Sequence, residues 1–200
     1  MELYLNATSP YARLVRIVLL EKGLADTVTL KWCDPWADDA ELLKANPAGR
    51  IPALVTEEGT TLSESMLIAV YLDSVSPNPP MLPAASRGDV LHLAGLGQNL
   101  MDAAFTTVIA RKHYGNEIDE SELGQRRSRA IQRLLKQLNN ELGEKQQASA
   151  TNLGDIAIAV ALEYLAFRLP KVSWKEEYSQ LLAWHSGVTE RASFHETAFA

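Results

Sequence analysis

The spacing of hydrophobic residues separates the chain into a first part with mixed strand and helix patterns and a second part with helical patterns alone. Short apolar runs at residues 3–5 and 28–32 predict two strands. Between them, apolar side chains recur every three or four residues and predict a helix with one buried face. Those positions are Tyr11, Leu14, Val15, Val18 and Leu19. This order of elements predicts a parallel strand pair joined by a right-handed crossover.

Turn-forming residues set the limits of the first helix. Ser9 precedes Pro10, and we predict that they are the N-cap and the first helical residue, because proline has no N–H to lose there. Gly23 predicts the helix end. Residues 38–44 can form one further short helix.

The most constrained stretch of the chain runs from Asn46 to Leu54 and contains two prolines and a glycine. A strand begins after Pro52, turns at residues 57–60, and returns to a predicted helix start at Ser63-Glu64-Ser65. Helix N-termini attract carboxylates, so a bound strand-like peptide with a terminal carboxylate would suit this stretch. Taken singly, each piece also fits an ordinary turn or an ordinary N-cap at Ser63.

Residues 75–80 predict a linker, because they are rich in proline. Helical spacing then continues over residues 90–108 and 131–142. A third helix is predicted to start at Asn152, with Asp155 completing a capping-box pattern, and its continuation is apolar nearly all round, as in the centre of a bundle. We therefore predict domains at residues 1–76 and 84–200.

Composition and charge narrow the classes of function. The 200 residues carry a formal net charge of −6, which argues against nucleic-acid binding as the main task. The single cysteine, Cys33, excludes an internal disulfide and fits a reducing cytoplasm. No apolar run reaches the roughly 20 residues of a membrane-spanning helix, and the first residues lack a signal-peptide pattern. We expect a cytoplasmic protein that binds neither nucleic acid nor membrane.

Ile51, Pro52 and the Glu64-Ser65 pair, in this order and at hairpin spacing, resemble the glutathione S-transferase family. The resemblance implies a thioredoxin-like α/β N-terminal domain in the order βαβαββα, followed by an all-α C-terminal helical bundle. It also implies glutathione as co-substrate. In the family, the residue at Ile51 pairs its backbone with the cysteinyl part of glutathione, Pro52 is cis, and the acidic-Ser pair holds the γ-glutamyl end.

Ser9 is the predicted catalytic residue. It lies six residues before Val15, and this segment looks like the serine-type bacterial transferases, in which that serine activates the glutathione thiol. A hydroxyl and a helix N-terminus beside a sulfur both favour the thiolate. The simpler interpretation is a plain N-cap, and Thr8 is the neighbouring alternative. Tyr4 lies within the strand, and Tyr11 fits the buried helix face.

The resemblance extends to further positions in the site. Arg50 matches a position near the glycine carboxylate of glutathione, although a surface arginine is the default. Asp102 resembles an acidic residue that reaches the partner subunit's glutathione in some family dimers, but a helix-surface Asp fits equally well. Phe105, Val108 and Arg111 are the predicted lining of the second-substrate pocket.

The resemblance also implies a homodimer, because the two-part transferase architecture places the first long helix against its counterpart. Gly95 and Gly97 lie within the first long helix, where each costs roughly 1 kcal/mol relative to alanine, which suggests a close helix approach. The alternative is that both glycines are merely tolerated.

The remaining reactive residues receive structural interpretations. Cys33 follows the second strand, away from a helix start, and fits a small core residue. The histidines lack the short paired spacing of metal ligands, so no metal is predicted. Arg126, Arg127, Arg129 and Arg133 form a basic cluster that fits a solvated helix face better than an anion site.

The resemblance therefore implies a glutathione transferase that acts on small electrophiles, as in detoxification. Related possibilities are a glutathione-dependent isomerase or peroxidase, although the Ser-Ser-Cys segment of zeta-like isomerases is replaced here by Ser9-Pro10-Tyr11. A non-catalytic binding or regulatory protein with the same fold is the alternative from another class.

Overall fold

The computed structural model describes residues 1–76, 79–143 and 151–200. They form two compact units, one of Met1–Arg87 with Ala192–Ala200 and the other of Gly88–Arg191. The first unit thus includes the last nine residues of the chain, which the sequence pattern assigned to the helical part. The predicted linker at residues 75–80 falls partly on residues 77–78, which lie outside the described residues.

The first unit contains a four-stranded sheet in the order β2-β1-β3-β4. Its strands are β1 (Glu2–Leu5), β2 (Thr29–Trp32), β3 (Ala53–Val55) and β4 (Thr61–Ser63), and its helices are α1 (Pro10–Glu21), α2 (Ala40–Ala45), α3 (Ser65–Val75) and α9 (Ala192–Glu196). β1 pairs with β2 in parallel, whereas β3 runs antiparallel to both β1 and β4. The predicted thioredoxin-like order and the parallel crossover are confirmed.

The strand register brings four loops to one end of the sheet. Leu5 lies opposite Trp32, so the loops that follow β1 and β2 leave the sheet together. Ala53, the first residue of β3, lies opposite both Tyr4 and Ser63. The segment before β3 and the segment after β4 therefore reach the same end, where α1 and α3 also begin.

The local sequence accounts for the form of α1. The Ser9 side chain accepts a hydrogen bond from the Ala12 N–H, and Pro10 occupies the first helical position, as predicted. Gly23, with a φ of 65°, follows the last turn in the left-handed region that suits glycine. The apolar face is fully buried, and it includes Leu14, Val15, Ile17 and Val18.

A buried ion pair connects the end of α1 to the segment that follows α3. The Lys22 ammonium is fully buried and lies 2.8 Å from the Asp73 carboxylate. Lys22 also donates to the Pro79 carbonyl, while Asp73 accepts the N–H groups of Met81 at 2.7 Å and Leu82 at 3.3 Å. Because both charges are paired and further hydrogen-bonded, the pair holds Pro79, Met81 and Leu82 beside the end of α1.

The described part of the second unit contains no strand. Its helices are α4 (Arg87–Tyr114), which starts at the unit boundary, α5 (Glu122–Leu142), α6 (Leu153–Arg168), α7 (Trp174–Glu177) and α8 (Ser179–Thr189). The predicted capping box of Asn152 and Asp155 is present, and α6 is buried over most of its surface. α7 and α8 were not predicted from the sequence, although Leu181, Trp184 and Val188 have helical spacing and are buried.

Two sequence interpretations in this unit change with the structure. A Cβ atom on Gly97 would lie 2.6 Å from the backbone of Ala157, so this glycine permits α4 to approach α6 of the same chain. It therefore does not support a dimer. Arg127 also departs from its predicted solvated face, because it is partly buried and its Nε and Nη2 atoms lack hydrogen-bond partners among the described residues.

Candidate functional site

The loop between β1 and α1 is shaped by Asn6 and ends at Ser9. The Asn6 Oδ1 atom accepts the Ser9 N–H at 2.9 Å and the Thr8 N–H at 3.2 Å. The Ser9 Oγ atom accepts the Ala12 N–H at 3.2 Å and is in a residue that is only 8% exposed. A hydroxyl that accepts one bond keeps its hydrogen for donation, so Ser9 has the chemistry of both a cap and a donor.

The alternative hydroxyl groups near this helix start are less suited to face a ligand. The Thr8 hydroxyl points to Asn6 Oδ1 at 3.5 Å, within its own loop. Tyr4 is buried in β1, and its pKa is raised by burial and further by the neighbouring Glu2 carboxylate, which keeps it a phenol. Tyr11 lies on the buried side of α1, as the spacing predicted.

Asn46 holds the segment before β3. Its Nδ2 atom donates to the Arg50 carbonyl at 2.8 Å, and its Oδ1 atom accepts the Ala48 N–H at 3.2 Å. Gly49, with a φ of 63°, returns its N–H to the Asn46 carbonyl at 2.8 Å. Asn46 was recognised only as the start of the stretch. Its position before a proline and a glycine is typical of a residue that stabilises a turn, so the sequence did contain a signal for this role.

Ile51 and Pro52 lie at the end of this loop, directly before β3. The peptide bond between them is cis, as the resemblance implies. Pro52 is buried, and Ile51 is partly buried against the apolar cluster of Tyr4, Leu42 and Ala53. This packing holds the backbone of Ile51 at the end of the sheet where Ser9 lies.

Glu64 and Ser65 form the start of α3, and the alternative of an ordinary cap at Ser63 is not observed. Ser63 is the last residue of β4, and Glu64 occupies the N-cap position without a side-chain capping bond. Glu64 has a φ of 69°, which costs a residue with a side chain on the order of 1–3 kcal/mol. Ser65 follows as the first helical residue and is 3% exposed. Strain of this kind is concentrated at functional sites.

Two predicted site residues meet directly at this end of the sheet. The Arg50 Nη1 atom lies 3.3 Å from Glu64 Oε1, and their side chains are 64% and 56% exposed. An exposed pair of this kind contributes about 0–1 kcal/mol, so both side chains can exchange partners at low cost.

Cys33 lies at the same end of the sheet but has the environment of an unreactive thiol. Its N–H donates to the Leu5 carbonyl at 3.0 Å, and its side chain packs against the cluster that contains Tyr4 and Leu42. Burial raises the pKa of the Cys33 thiol, and the negative charge of Asp39 raises it further. The group therefore stays protonated near neutral pH, in agreement with the structural interpretation.

The remaining predicted site residues lie on α4 in the second unit. Asp102 is exposed and accepts a hydrogen bond from Gln98 at 3.0 Å. Phe105 and Val108 are partly buried. Arg111 is held by Asp119 through two bonds of 2.9 and 2.6 Å, and it lines a pocket of about 380 Å³ whose lining includes neither Phe105 nor Val108.

Within residues 1–76, 79–143 and 151–200, no group of three or more His, Cys, Asp or Glu side chains is arranged to hold a metal ion. No helix in the described part of the chain has both the length and the apolar character needed to cross a membrane.

Comparison with known proteins finds relatives over the whole chain. The family described as "Glutathione S-transferase, N-terminal domain" matches residues 8–75. The uncharacterized GST-like protein YibF of Escherichia coli (strain K12) is 33% identical over 202 residues, which cover 98% of each chain. A stringent starvation protein A homolog of Histophilus somni is 39% identical over 90 residues, which cover 44% of this chain and 41% of that protein.

A solved structure shows the same fold with a ligand. It is that of a glutathione transferase family member from Pseudomonas fluorescens Pf-5 with bound glutathione. The TM-score is 0.87 and the sequence identity 32%, and the match covers 100% of this chain and 98% of that one.

Proposed function

Because the chain belongs to the glutathione S-transferase family, we propose that it is an enzyme that binds glutathione and activates its thiol for attack on small electrophiles. The observation that carries this proposal is the strand register. It brings Ser9, the Ile51-Pro52 pair and the Glu64-Ser65 pair to one end of the sheet. The bound glutathione in the Pseudomonas fluorescens structure supports the same assignment.

The γ-glutamyl end of glutathione would bind at the start of α3. The Glu64 carboxylate is suited to the ammonium group, and the Ser65 hydroxyl and the first N–H groups of α3 are suited to the carboxylate. The backbone of Ile51 would pair with the cysteinyl part. Arg50 would face the glycine carboxylate, and its exposed pair with Glu64 leaves it able to do so.

The Ser9 hydroxyl would donate a hydrogen bond to the glutathione sulfur. Together with the N-terminus of α1, this donor favours the thiolate, and the thiol proton passes to solvent. The thiolate then attacks an electrophilic carbon, so that a carbon–sulfur bond forms and the leaving group departs with its electron pair. The same activated thiol would serve an isomerase or a peroxidase, and turnover of halide, epoxide, peroxide and isomerisation substrates would separate these reactions.

Titration calorimetry with glutathione tests the binding site. Ser65→Ala should weaken glutathione binding by about 1–3 kcal/mol, because a charged group loses one hydrogen bond. Ser63→Ala is the matched control, since Ser63 is an exposed serine at the end of β4. If Ser65→Ala binds glutathione like the unmodified protein, the assignment of this helix start is wrong.

A non-catalytic binding protein is the second candidate function. The similarity over 90 residues to a stringent starvation protein A homolog, whose name states no transferase activity, favours it. Such a protein would bind glutathione in the calorimeter but show no turnover with any of the four substrate classes.

If the protein is instead the proposed transferase, its reaction with glutathione would run in the cytoplasm, where a reducing environment maintains free thiols.

We also propose that the protein is a homodimer. The outer face of α3 exposes Leu67 and Val70, and α4 exposes Leu91. Apolar side chains on two helix surfaces suit a second copy of the chain. Light scattering should return twice the 22.0 kDa mass of one chain, and a particle of that single mass would contradict the proposal.

The proposed roles of the α4 residues depend on the complete assembly. Asp102 would reach the glutathione of the partner subunit, which its exposure permits. Phe105 and Val108 would form the apolar wall for the second substrate. Arg111 would contribute less, because Asp119 already holds its guanidinium through two hydrogen bonds.

A further inference from the structure

The last residues of the chain return to pack on α1. Residues Ala192–Ala200 belong to the same compact unit as the sheet. They contact α1 at several points along its length. The Ser193 hydroxyl donates to Glu21 Oε1 at 2.6 Å near the helix end, and the Arg16 Nη2 atom donates to the Glu196 carbonyl at 3.3 Å near the middle.

Arg13 makes the most extensive of these contacts. Its side chain is buried, with the residue only 2% exposed. Its Nη2 atom donates to the Phe194 carbonyl at 3.1 Å, and its Nε atom donates to Thr197 Oγ1 at 3.4 Å. The ring of Phe199 lies against the guanidinium, with 4.4 Å between the central carbon and the ring centroid. A planar guanidinium held on its edge and on its face has one orientation.

Thr197 is held within the C-terminal segment as well as by its contact with Arg13. It is 1% exposed, and its hydroxyl donates to the Ser193 carbonyl at 2.7 Å while it accepts from Arg13. The hydroxyl thus uses its donor within the C-terminal segment and presents its acceptor to α1. The contact depends on a defined conformation of this segment.

Arg13 lies in the turn of α1 that presents Ser9. Its N–H donates to the Ser9 carbonyl at 3.0 Å, one residue after Ala12, whose N–H binds Ser9 Oγ. A shift of the Arg13 backbone would therefore disturb the two hydrogen bonds that hold Ser9 to the first turn of α1, whereas the bond from the Ser9 N–H to Asn6 lies in the preceding loop. Displacements of about 1 Å at such a group can reduce turnover by as much as about 100-fold.

We propose that Arg13 is a positioning residue for thiol activation and that the C-terminal segment Ala192–Ala200 acts through it to hold the first turn of α1. The inference rests on the proposed glutathione-activating role of Ser9. Ser9 and the segment that positions it are thus separated by almost the whole length of the chain.

The experiment compares Arg13→Gln with Arg16→Gln. Both substitutions remove a guanidinium that binds the C-terminal segment, but Arg16 lies one turn farther from Ser9. Arg13→Gln should lower kcat about 10-fold and raise the pKa of the bound glutathione thiol, with little change in glutathione affinity. Arg16→Gln should leave the thiol pKa unchanged. Thr197→Val and Phe199→Leu, both in the C-terminal segment, should reproduce the Arg13→Gln effect in weaker form.

Hydrogen exchange of residues 9–14 supplies a readout that does not require glutathione. Exchange there should be faster in Arg13→Gln and Phe199→Leu than in Arg16→Gln. Unchanged exchange in both variants would overturn the proposal, and so would faster exchange with an unchanged thiol pKa. If the unmodified protein shows no thiolate absorbance with glutathione, the proposed function fails, and with it the positioning role of Arg13 in thiol activation.

Discussion

Two helices of the first unit begin at the same end of the sheet but start in different ways. α1 follows Ser9, whose extended backbone and side-chain oxygen cap the helix as local rules require. α3 follows Glu64, whose φ is 69° and whose carboxylate makes no capping bond. The capping hydrogen bond at the start of α1 is made by a neighbouring residue in the sequence, whereas the positive φ at the start of α3 is maintained by the surrounding structure.

The difference indicates what each start contributes. A helix start without strain can be kept for stability alone, so the cap at Ser9 does not by itself reveal a function. A strained residue persists only where neighbouring structure holds it, here the end of β4 and the buried Ser65. The geometry of Glu64 is therefore the stronger structural sign of a binding site.

Ser9→Ala tests whether the residue that caps α1 also activates the glutathione thiol, and it should have the largest effect. Conjugation should slow about 10- to 100-fold, because a thiolate loses a hydrogen bond worth about 1.5–3 kcal/mol. The pKa of bound glutathione should rise by about one to two pH units, so the midpoint of the pH–rate profile moves upward. Thiolate absorbance of the binary complex against pH measures this, with little change expected in glutathione affinity.

Ser121→Ala is the matched control for the cap. Ser121 caps α5 by accepting the Gly124 N–H at 3.1 Å, which is close to the 3.2 Å of Ser9. Both variants should lose about 1 kcal/mol of stability. If they also share the same turnover and thiolate titration as the unmodified protein, Ser9 is only a cap, and Thr8 or a backbone N–H must activate the thiol.

Glu64→Gly relieves the backbone strain at the start of α3 and should have an intermediate effect. Glycine adopts a φ of 69° without steric cost, so the free energy of unfolding should rise by about 1 kcal/mol. Glutathione affinity should fall, because the proposed ammonium partner is lost. Thermal unfolding and calorimetry measure the two changes separately.

Asp38→Gly is the control for this prediction, because Asp38 is an exposed residue with a φ of 50°. It should gain stability without a loss of affinity. A Glu64→Gly protein that binds glutathione normally would show that the strained residue has no part in binding.

Arg50→Gln tests the contact between Arg50 and Glu64 and should have the smallest effect on the free energy of unfolding. The exposed pair with Glu64 contributes no more than about 1 kcal/mol, and this contribution should shrink at high salt. Denaturant unfolding at low and high salt measures it. Lys31→Gln, which breaks the exposed pair with Glu2, is the control. If only Arg50→Gln weakens glutathione binding, the proposed glycine-carboxylate contact is supported, and equal binding in both variants contradicts it.

Features built from neighbouring residues could be predicted from the sequence. The Ser9-Pro10 start and the Asn152–Asp155 capping box each close within a few residues, so the residue types suffice to identify them. The helix start at residues 63–65 was predicted, with an ordinary cap at Ser63 as the simpler alternative. The actual cap, Glu64, contradicts local preference, because a residue with a side chain rarely adopts positive φ.

The sequence by itself determined the strand and helix order of residues 1–76, because hydrophobic spacing and turn residues act over short distances. Only the tertiary structure showed that Lys22 pairs with Asp73, that Gly97 permits α4 to approach α6, and that Arg13 meets the end of the chain. In each case a residue of ordinary appearance depends on a partner about 50 to 180 positions away. Such pairing follows from how the elements pack, and no spacing within one element encodes it.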